Sequence, residues 1–430
     1  MCTSLICCLP NELLAEIFQR CMCKFEYPFG TTHFPKLKQL LEILLPITAT
    51  CSRWRRVATS TAKLWTSLVV SPKKHFEIES SMIETFLERS SKAPLNFYLA
   101  GAGDFVSDWH PDFLQLYALV VPHLQRCSLL SCHYIQEDLI AEIFPLPLMP
   151  ELRAIIVFGQ TPNLSPITLF AHPASYLHLK VARIIGVPVT PFPESSINQL
   201  LIARNSTAEG WVLPLIISSS HITSLKLMTR NTLSGSIPST RISLPRLTYI
   251  WQRGPSVGIF LDTPSLDKLH WVRMELRSRN ERVSFPSLTK LHLNRPRLVY
   301  LRKSKTQNFH FPMLRSLVLQ DANEAAVILR AILLPRQSSE TPAPLASVEA
   351  KQEALMLPSP NLQLITLEHS GEEDIEEDFE ALHLCLKELL ERYQHLNIEY
   401  AGLEATEDED VWDRLELLFP ARVAVRRARV

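Results

Sequence analysis

One pattern occurs twice in nearly the same form, as Phe285-Pro286-Ser287-Leu288-Thr289-Lys290-Leu291-His292-Leu293 and as Phe311-Pro312-Met313-Leu314-Arg315-Ser316-Leu317-Val318-Leu319. Each copy contains Leu-x-x-Leu-x-Leu, and a proline lies two residues before the first leucine. Eight more windows share the apolar spacing, and their first apolar positions are Leu124, Leu152, Ala174, Ile197, Ile222, Leu247, Leu266 and Leu362. Five of these eight also have the proline, so the chain contains a repeated unit.

The period of the repeat predicts the fold. Successive windows begin 19 to 28 residues apart, except for a last gap of 48 residues. Periods of roughly 20–29 residues with this spacing are typical of leucine-rich repeats, which stack into a solenoid. We therefore predict an α/β fold: an irregular leucine-rich-repeat solenoid with a curved parallel sheet, in which each Leu-x-Leu pair forms a short strand. The proline suits an extended entry into that strand, because it fixes φ.

The remaining sequence predicts further strands and short helices. Apolar runs at 68–70 and 95–99 predict two earlier strands, and a run at 396–398 predicts the last one. Helical periodicity is present at 82–89, 112–120, 137–144, 323–333, 379–393 and 408–419. The segment 335–358 is rich in Pro, Ser, Ala and Gln, which predicts a disordered insertion within a solenoid domain spanning 71–430.

The composition argues against several classes of function. The chain has 430 residues, with 44 Lys and Arg and 44 Asp and Glu, so no overall field favours nucleic acid or a membrane surface. It has 11 glycines where average usage would give roughly 30, which argues against glycine-rich phosphate loops and dinucleotide-binding folds. No stretch approaches the roughly 20 apolar residues of a membrane helix. We expect no cofactor and no membrane association.

The 9 cysteines do not form a paired framework. The apolar start before Leu9 is too short for a signal peptide. Both observations favour reduced thiols in a cytoplasmic or nuclear protein. Cys7, Cys8, Cys21 and Cys23 could be imagined as a zinc cluster, but Cys21 and Cys23 are separated by one residue instead of the usual two to four. We therefore expect no metal site.

The first seventy residues predict three short helices. Pro10 suits a first helical turn, and the residues after it form one apolar stripe: Leu13, Leu14, Ile17 and Phe18. A second amphipathic run covers 37–45, and a third, after Pro46, covers 47–58. A unit of this size has a poor core of its own. So much large apolar surface therefore suggests burial against another chain.

Three groups of residues follow one another in this region: Leu9-Pro10-x-Glu12-Leu13-Leu14-x-x-Ile17-Phe18, Cys51-x-x-Trp54-Arg55 and Leu64-Trp65. Together they resemble the F-box, a three-helix motif that binds the Skp-type adaptor of cullin–RING ubiquitin ligases and often precedes leucine-rich repeats. The resemblance implies an F-box-like helical domain at 1–70 whose adaptor contacts come from Leu9, Pro10, Leu13, Leu14, Ile17 and Phe18. It also implies that Cys51, Trp54 and Trp65 pack the helices or line the same interface.

One segment departs from the family pattern. The first two helices of an F-box are normally joined by a short turn, whereas residues 24–38 here contain two prolines, a glycine and four aromatic residues. This composition predicts a surface loop that leaves the helix faces intact. A different interpretation of the three helices is also open, in which they are a cap over the end of the solenoid.

The residues that flank the core leucines should lie on the outward face of the strands. Six windows place the following residues there: Tyr176, His178 and Lys180; Gln199, Leu201 and Ala203; Ser224, Lys226 and Met228; Tyr249, Trp251 and Arg253; Lys268, His270 and Val272; Lys290, His292 and Asn294. None of these residues is acidic. We predict that the basic and aromatic members bind a protein substrate that is acidic or phosphorylated. The alternative is an ordinary solvated strand surface. No carboxylate or thiol is predicted beside His178, His270 and His292, which argues against a metal there.

The motifs that are present favour an interaction protein over an enzyme. The chain has no Gly-x-Ser-x-Gly, no Walker loop and no His-Glu-x-x-His. The favoured hypothesis is a non-catalytic substrate receptor of a Skp–cullin–F-box ubiquitin ligase, which binds the adaptor, and through it a cullin, with its first domain and the substrate with its solenoid. The alternative is a leucine-rich-repeat scaffold without a ligase role. The basic run 422–429 is interpreted as a soluble end or as a localisation or nucleic-acid element.

Overall fold

The chain forms two compact units, Met1–Ser219 and Ser220–Val430. Each unit combines helices with a sheet of parallel strands. The computed structural model describes residues 9–22, 37–70, 76–100, 110–135, 142–159, 166–192, 196–203, 212–219, 221–228, 242–253, 261–272, 283–294, 309–320, 325–333, 359–368, 379–401, 417 and 421–426.

Three helices begin the first unit: α1 (Asn11–Met22), α2 (Leu37–Thr50) and α3 (Ser52–Ser60), followed by one turn of 3-10 helix at Ala62–Trp65. α1 begins directly after Pro10, whose carbonyl accepts a hydrogen bond from the Leu14 N–H at 3.1 Å. Cys51 caps α3, because its Sγ accepts a hydrogen bond from the Trp54 N–H at 3.4 Å. The prediction of three helices in this region is confirmed.

The boundary between the second and third helices differs from the prediction. We expected a helix at 37–45 and another at 47–58, but α2 continues through Pro46 to Thr50. A proline removes one hydrogen bond from a helix without forbidding its continuation. The hydroxyls of Thr48 and Thr50 donate to carbonyls of the same helix, at 2.9 Å and 2.6 Å. The helix ends at Thr50, because the next residue, Cys51, has an extended backbone with φ −159° and ψ 168°.

The described sheet of the first unit contains six parallel strands in chain order: β1 (Ser67–Val70), β2 (Leu95–Ala100), β3 (Cys127–Ile135), β4 (Ala154–Gly159), β5 (Val181–Ile185) and β6 (Gln199–Ala203). The helical segments that alternate with these strands or follow them are α4 (Phe76–Ser90), α5 (His110–Val120), α6 (Val212–Ile217) and the 3-10 turns Val121–Arg126 and Pro173–Tyr176. The strands predicted at 68–70 and 95–99 and the helices predicted at 82–89 and 112–120 are confirmed.

The window that begins at Ala174 was placed in the wrong register. Residues 173–176 form a 3-10 turn, Leu177 is 51% exposed, and the strand begins only at Val181. The buried positions of the pattern are Leu179, Ala182 and Ile184, five residues later than expected for the first of them. Pairing with β4 fixes this register, because Ala182 lies opposite Ile155. A shift of register moves a different set of side chains to the core face.

The described strands of the second unit are β7 (Ser224–Met228), β8 (Ile242–Ser243), β9 (Tyr249–Arg253), β10 (Leu261–Asp262), β11 (Lys268–Val272), β12 (Val283–Ser284), β13 (Lys290–Asn294), β14 (Phe309–His310), β15 (Ser316–Gln320), β16 (Leu364–Glu368), β17 (Asn397–Ala401) and β18 (Val423–Arg426). A parallel sheet contains β7, β9, β11, β13, β15, β16, β17 and β18, in that order. β8 pairs with β10 and β12 with β14. Two described helices, α7 (Ala325–Leu333) and α8 (Phe379–Arg392), confirm the predictions at 323–333 and 379–393.

The proline of the repeat occupies a tight turn rather than an extended entry. The Leu288 N–H donates to the Phe285 carbonyl at 3.3 Å, which closes a four-residue turn with Pro286 in second place. The same turn closes between Leu314 and Phe311 at 3.1 Å. Proline is favoured at the second position of such a turn because its φ is already set. Leu288 and Leu314 are fully buried, so each turn anchors the start of its strand in the core.

The strands that follow these turns alternate as predicted. In β13, Lys290 is exposed, whereas Leu291 and Leu293 are 3% and 0% exposed. The strands β7, β9, β11 and β15 have the same alternation of buried and accessible residues. The outward face of these five strands is therefore the face predicted from the Leu-x-Leu spacing.

The C-terminal end differs from the prediction. The strand expected at 396–398 is present as β17, but it is not the last one. Val423–Arg426 forms β18, which pairs with β17 in parallel. Part of the basic run 422–429 therefore belongs to the sheet instead of forming a soluble tail. Val423 and Val425 have the two-residue spacing of one strand face, and the arginines on either side of the run hid that pattern.

Four predictions fall wholly or mostly outside the described residues. They are the surface loop at 24–38, the helix at 137–144, the disordered insertion at 335–358 and the closing helix at 408–419. These four stay predictions.

Candidate functional site

α1 has two apolar stripes with different environments. Leu14 and Phe18 are 0% and 1% exposed, so they belong to the interior. Leu13 and Ile17 are 51% and 44% exposed. Residues four apart share a helix face, so each pair forms its own stripe. The exposed stripe is therefore an apolar surface that the described part of the chain leaves accessible.

Arg53 of α3 fixes the start of α1. Its Nε donates to Oδ1 of Asn11 at 3.0 Å, and its Nη2 donates to the carbonyl of Leu9. These bonds hold the Leu9–Pro10 segment in place beside the exposed stripe. The sequence pattern predicts no role for Arg53. The only signal was its position directly before Trp54, in a helix whose other face is apolar.

Two tryptophans pack the helices together. The ring of Trp54 lies 5.1 Å from that of Phe18, centroid to centroid, which joins α3 to α1. Trp65 is 4% exposed, and its Nε1 donates to the Ala58 carbonyl at 2.9 Å. The Trp65 ring also meets Phe86 of α4 edge to face at 5.1 Å. Of the two roles that the resemblance implied for Trp65, its burial fits the packing role.

The predicted adaptor-binding residues therefore separate into two groups. Leu14, Phe18 and Trp65 are buried and are not available to a partner in this conformation. The accessible members are Pro10, Leu13, Ile17 and Cys51, which are exposed, and Leu9 and Trp54, which are half-buried. The sequence alone does not show that Leu14 is buried and Leu13 exposed, because two adjacent leucines on a short helix have the same hydropathy.

A groove adjoins α2, α3 and α4. It has a volume of about 730 Å³, and its lining includes Leu45, Trp65, Met82 and Phe86. Leu45 is 59% exposed. The apolar surface of the helical region is thus not limited to α1.

The second unit brings basic and aromatic side chains together on its outward face. The register places Lys268 beside Lys290, and His270 beside His292. On the other side of β11, Trp251 of β9 is the partner of His270, and Lys226 of β7 is the partner of Trp251. These four strands therefore bring the outward residues predicted from the windows that begin at Ile222, Leu247, Leu266 and Leu288 into contiguous rows. Tyr249 and Arg253 are among them.

Three rings form the centre of this face. The imidazoles of His270 and His292 stack with centroids 4.0 Å apart and planes 7° apart. Trp251 meets His270 at 5.9 Å with an angle of 70°. His292 is oriented by a contact of 3.2 Å between its Nε2 and Oε1 of Gln320, which also accepts a bond from Asn294 at 2.7 Å.

Burial controls the protonation of His270. Desolvation by burial is the largest cause, and together with the neighbouring His292 and Lys226 it lowers the pKa of His270 to about 4. The imidazole is therefore neutral at physiological pH. Burial also raises the pKa of the Tyr249 hydroxyl. The lysine and arginine side chains supply positive charge to this face.

Three of the predicted residues do not belong to this face. Tyr176 lies in the 3-10 turn of the first unit, and His178 and Lys180 lie between that turn and β5. The register error at Ala174 placed them on a strand, whereas the strand begins at Val181. They therefore do not lie on a strand.

Other chemistry finds little support among the described residues. Within them, no group of three or more His, Cys, Asp or Glu side chains could hold a metal ion. Cys127 and Cys132 are fully buried thiols, and burial raises the pKa of both, which makes them poor nucleophiles. In the part of the chain that the structure describes, the helices are all too short or too polar to cross a bilayer.

Comparison with known proteins identifies the helical region. Residues 6–71 match the family model described as F-box-like. That span contains α1, α2, α3, the turn Ala62–Trp65 and β1. No curated protein and no solved structure shows a significant match to the chain. The chain thus has an F-box-like domain at its N-terminal end, as the resemblance implied.

Proposed function

We propose that this chain is a non-catalytic substrate receptor of a Skp–cullin–F-box ubiquitin ligase. The F-box-like domain binds the Skp-type adaptor, and through it a cullin, and the repeats bind the target protein. The observation that carries the proposal is the exposed stripe of Leu13 and Ile17 within the region that matches the F-box-like model. F-box domains bind Skp-type adaptors, and an apolar helix stripe is a suitable surface for that contact.

The architecture supports a repeat receptor. Parallel strands follow one another in chain order. In the second unit, a tight turn with proline in second place recurs before them, and the N–H of the buried leucine closes it. This arrangement is compatible with a leucine-rich-repeat solenoid, in which each repeat contacts its neighbours, and so supports the proposal. Such a protein performs no bond chemistry of its own. It raises the effective concentration of the target beside a separate ubiquitin-transferring enzyme.

The outward face of β7, β9, β11 and β13 is the proposed target-binding surface. Lys226, Arg253, Lys268 and Lys290 supply four cations, and the outward positions of these strands contain no carboxylate. Tyr249, Trp251, His270 and His292 supply rings. Cations with adjacent rings suit an acidic or phosphorylated protein segment.

A second candidate function is a repeat scaffold without a ligase role. The contact of Trp65 with Phe86, and the Arg89 guanidinium 4.4 Å above the Trp65 ring, tie the F-box-like helices to α4. Helices packed in this way could act as a cap for the sheet that follows. The two functions differ in whether the exposed stripe binds an adaptor.

Adaptor binding by the purified chain tests the proposal. The variant Leu13→Glu with Ile17→Glu should bind a Skp-type adaptor at least about 100-fold more weakly, because two apolar contacts are replaced by charges that must be desolvated. The control is Leu384→Glu in α8, a helical leucine that is 59% exposed, which should bind as the wild type does. Isothermal titration calorimetry measures affinity, and circular dichroism verifies folding. Failure of the wild type to bind would support the scaffold instead, and equal binding by the double variant would exclude the exposed stripe as the adaptor-binding surface.

A further inference from the structure

The groove that adjoins α2, α3 and α4 is a concave apolar site in the first unit. Its volume of about 730 Å³ is within the range of small-molecule sites, roughly 300 to 1,000 Å³. The buried part of its lining includes Trp65 and Phe86, which are each 4% exposed and meet edge to face. The accessible part includes Leu45 of α2, at 59% exposed, and Met82 of α4. The described lining contains no residue of α1, so the groove is distinct from the exposed stripe.

Most polar side chains of this lining are already paired within the protein. The hydroxyls of three threonines donate to carbonyls of their own helices at 2.8 to 2.9 Å, and these residues are Thr48, Thr59 and Thr85. The indole N–H of Trp65 donates to a carbonyl of α3 at 2.9 Å. Apart from the exposed Ser81 hydroxyl, the side-chain donors that remain in the described lining belong to arginines.

The charged residues of the described lining are both cationic, Arg55 of α3 and Arg89 of α4. The Arg89 guanidinium is held 4.4 Å above the Trp65 ring. Arg55 is exposed, and its Nε donates to the Thr48 carbonyl at 2.9 Å, whereas its Nη1 and Nη2 have no partner among the described residues. Three acidic residues of α2 and α4 are exposed and do not line the groove: Glu42, Glu84 and Glu88. An apolar site with cations and no carboxylate complements a ligand that has an apolar body and one anionic group.

Size and hydrogen bonding favour a small ligand over a protein segment. Three turns of α-helix, about 16 Å long and 10 Å across, occupy more than about 1,000 Å³. An extended segment has an N–H and a C=O at every residue, and these need partners when they are buried. The groove is lined by helical segments, whose backbone groups are already paired. An alkyl chain has no such groups, and a carboxylate pairs with a guanidinium through two parallel hydrogen bonds.

We propose that this groove binds a single-chain alkyl carboxylic acid, with the alkyl chain against Leu45, Met82 and Phe86 and the carboxylate paired with Arg55. The chain would cover apolar surface that water otherwise contacts, which is favourable in proportion to the area covered. Arg89 adds a second positive charge to the same site. The inference goes beyond the proposed function and does not depend on it, because other residues form the proposed adaptor-binding and target-binding surfaces.

Titration calorimetry of the purified full-length chain tests the ligand class. Octanoate, decanoate and dodecanoate are compared, each below its micelle-forming concentration. One buried methylene should tighten binding about fourfold, so affinity should rise along the series. Decyltrimethylammonium, a cation with a chain of similar length, should bind at least about tenfold more weakly than decanoate, because it cannot accept hydrogen bonds from a guanidinium. Equal binding of these two compounds, or no dependence on chain length, would overturn the ligand class.

Substitutions connect the binding to the named residues. Leu45→Asp should weaken dodecanoate binding at least about tenfold, because it places a carboxylate beside the alkyl chain and the anionic group. The matched control is Leu384→Asp in α8, since Leu384 has the same exposure of 59%, and it should bind as the wild type does. Arg55→Gln should remove the preference for decanoate over decyltrimethylammonium and retain the dependence on chain length. Arg56→Gln replaces the neighbouring exposed arginine, which does not line the groove, and should change neither property.

Three outcomes would refute the inference. Undiminished dodecanoate binding by Leu45→Asp, with folding verified by circular dichroism, would exclude the groove as the site. Tighter binding of an acidic amphipathic helical peptide than of dodecanoate, lost in Leu45→Asp, would identify a protein segment as the occupant. Binding of anionic vesicles by a chain that does not bind monomeric dodecanoate would identify a membrane surface instead. Each of these failures would leave the proposed function standing if adaptor binding is intact.

Discussion

Arg126 and Arg422 lie in different units, but each is the residue directly before a strand and each returns to the C-terminal end of a helix. The guanidinium of Arg126 donates to the carbonyls of Ser91, Ala93 and Leu87, at the end of α4. A helix leaves its last carbonyls without partners, and a cation there is also favoured by the helix dipole. One side chain therefore provides hydrogen bonds to carbonyls at the end of α4 and fixes the position at which β3 begins.

Arg422 performs the same task for α8. Its Nε donates to the Leu396 carbonyl at 2.9 Å, and its Nη2 donates to the carbonyls of Leu390 and Tyr393. The bonded segment contains the end of α8 and the entry to β17, and the arginine itself precedes β18. From the sequence, Arg422 was only the first member of a basic tail. A single arginine before a strand has no periodicity, so its role could not be predicted.

Replacing either arginine should destabilise the fold. We expect Arg126→Met and Arg422→Met each to lower the free energy of unfolding by about 2 kcal/mol, because several hydrogen bonds from a charged donor are lost and carbonyls are left unsatisfied. Urea denaturation followed by circular dichroism measures the change. Arg315→Met is the control, since the Arg315 side chain is exposed, and it should change stability by less than about 0.5 kcal/mol. A loss at Arg126 or Arg422 no larger than the control would contradict the capping role.

At the scale of the elements, the leucine pattern predicted strands well where a turn fixed the first leucine. The Leu288 and Leu314 windows contain both the turn and the alternation, and both strands are found where expected. The Ala174 window has no proline two residues before its small first residue, so alternation alone could not choose between two registers. Pairing with β4 made that choice. Such information is absent from a single local window, since strand pairing is a non-local contact.

Pro46 was interpreted as a helix boundary, yet it lies inside α2. The local rule is sound on average, because proline in a helix interior costs about 3 kcal/mol relative to alanine. The rule was overridden here because Leu44 and Ile47, on either side of the proline, are 2% and 7% exposed. Burial of both keeps the helix continuous through the unfavourable residue.

Removing this proline should therefore stabilise the chain. We expect Pro46→Ala to raise the free energy of unfolding by about 1 kcal/mol, because it restores a helical N–H donor, with part of the gain offset by the greater freedom of the unfolded chain. Pro10→Ala is the matched comparison. Pro10 precedes the first helical residue, where a missing N–H costs nothing, so its replacement should lower stability by a few tenths of a kcal/mol. Thermal unfolding of both variants measures whether each replacement raises or lowers the stability of the fold. A less stable Pro46→Ala would mean that the packing of α2 requires the proline.

At the scale of the whole molecule, the sequence predicted which kinds of surface the protein has more accurately than which residues form them. The F-box resemblance identified the helical region, and the outward rows of the second unit followed from alternation. Burial divided the predicted adaptor residues, because Leu14 and Phe18 proved to be interior while Leu13 and Ile17 are accessible. Accessibility depends on how helices pack, and one helix stripe does not determine that.

Each unit contains a histidine whose ring is held neutral. His133 in the first unit is 3% exposed and lies parallel to Phe158, with ring centroids 5.8 Å apart. His270 in the second unit is half-buried and stacks on His292. Burial is the leading cause that lowers the pKa of each to about 4. Both units should therefore respond to acid in the same direction.

The sign of this response follows from proton linkage. The pKa of histidine in the unfolded chain is about 6.5, so between about pH 6.5 and pH 4 the unfolded state binds more protons than the folded state. Stability is then highest above pH 6.5 and falls as the pH is lowered through this window. For His133, whose side chain is almost fully buried, we expect a loss of about 2 kcal/mol between pH 7 and pH 5. His133→Phe keeps a ring beside Phe158 and should remove that loss, so its urea midpoint should fall less steeply with acid than that of the wild type. His178→Phe, at an exposed position, should retain the full wild-type slope. Identical slopes for all three proteins would show that the His133 ring is protonated as easily in the folded state as in the unfolded one.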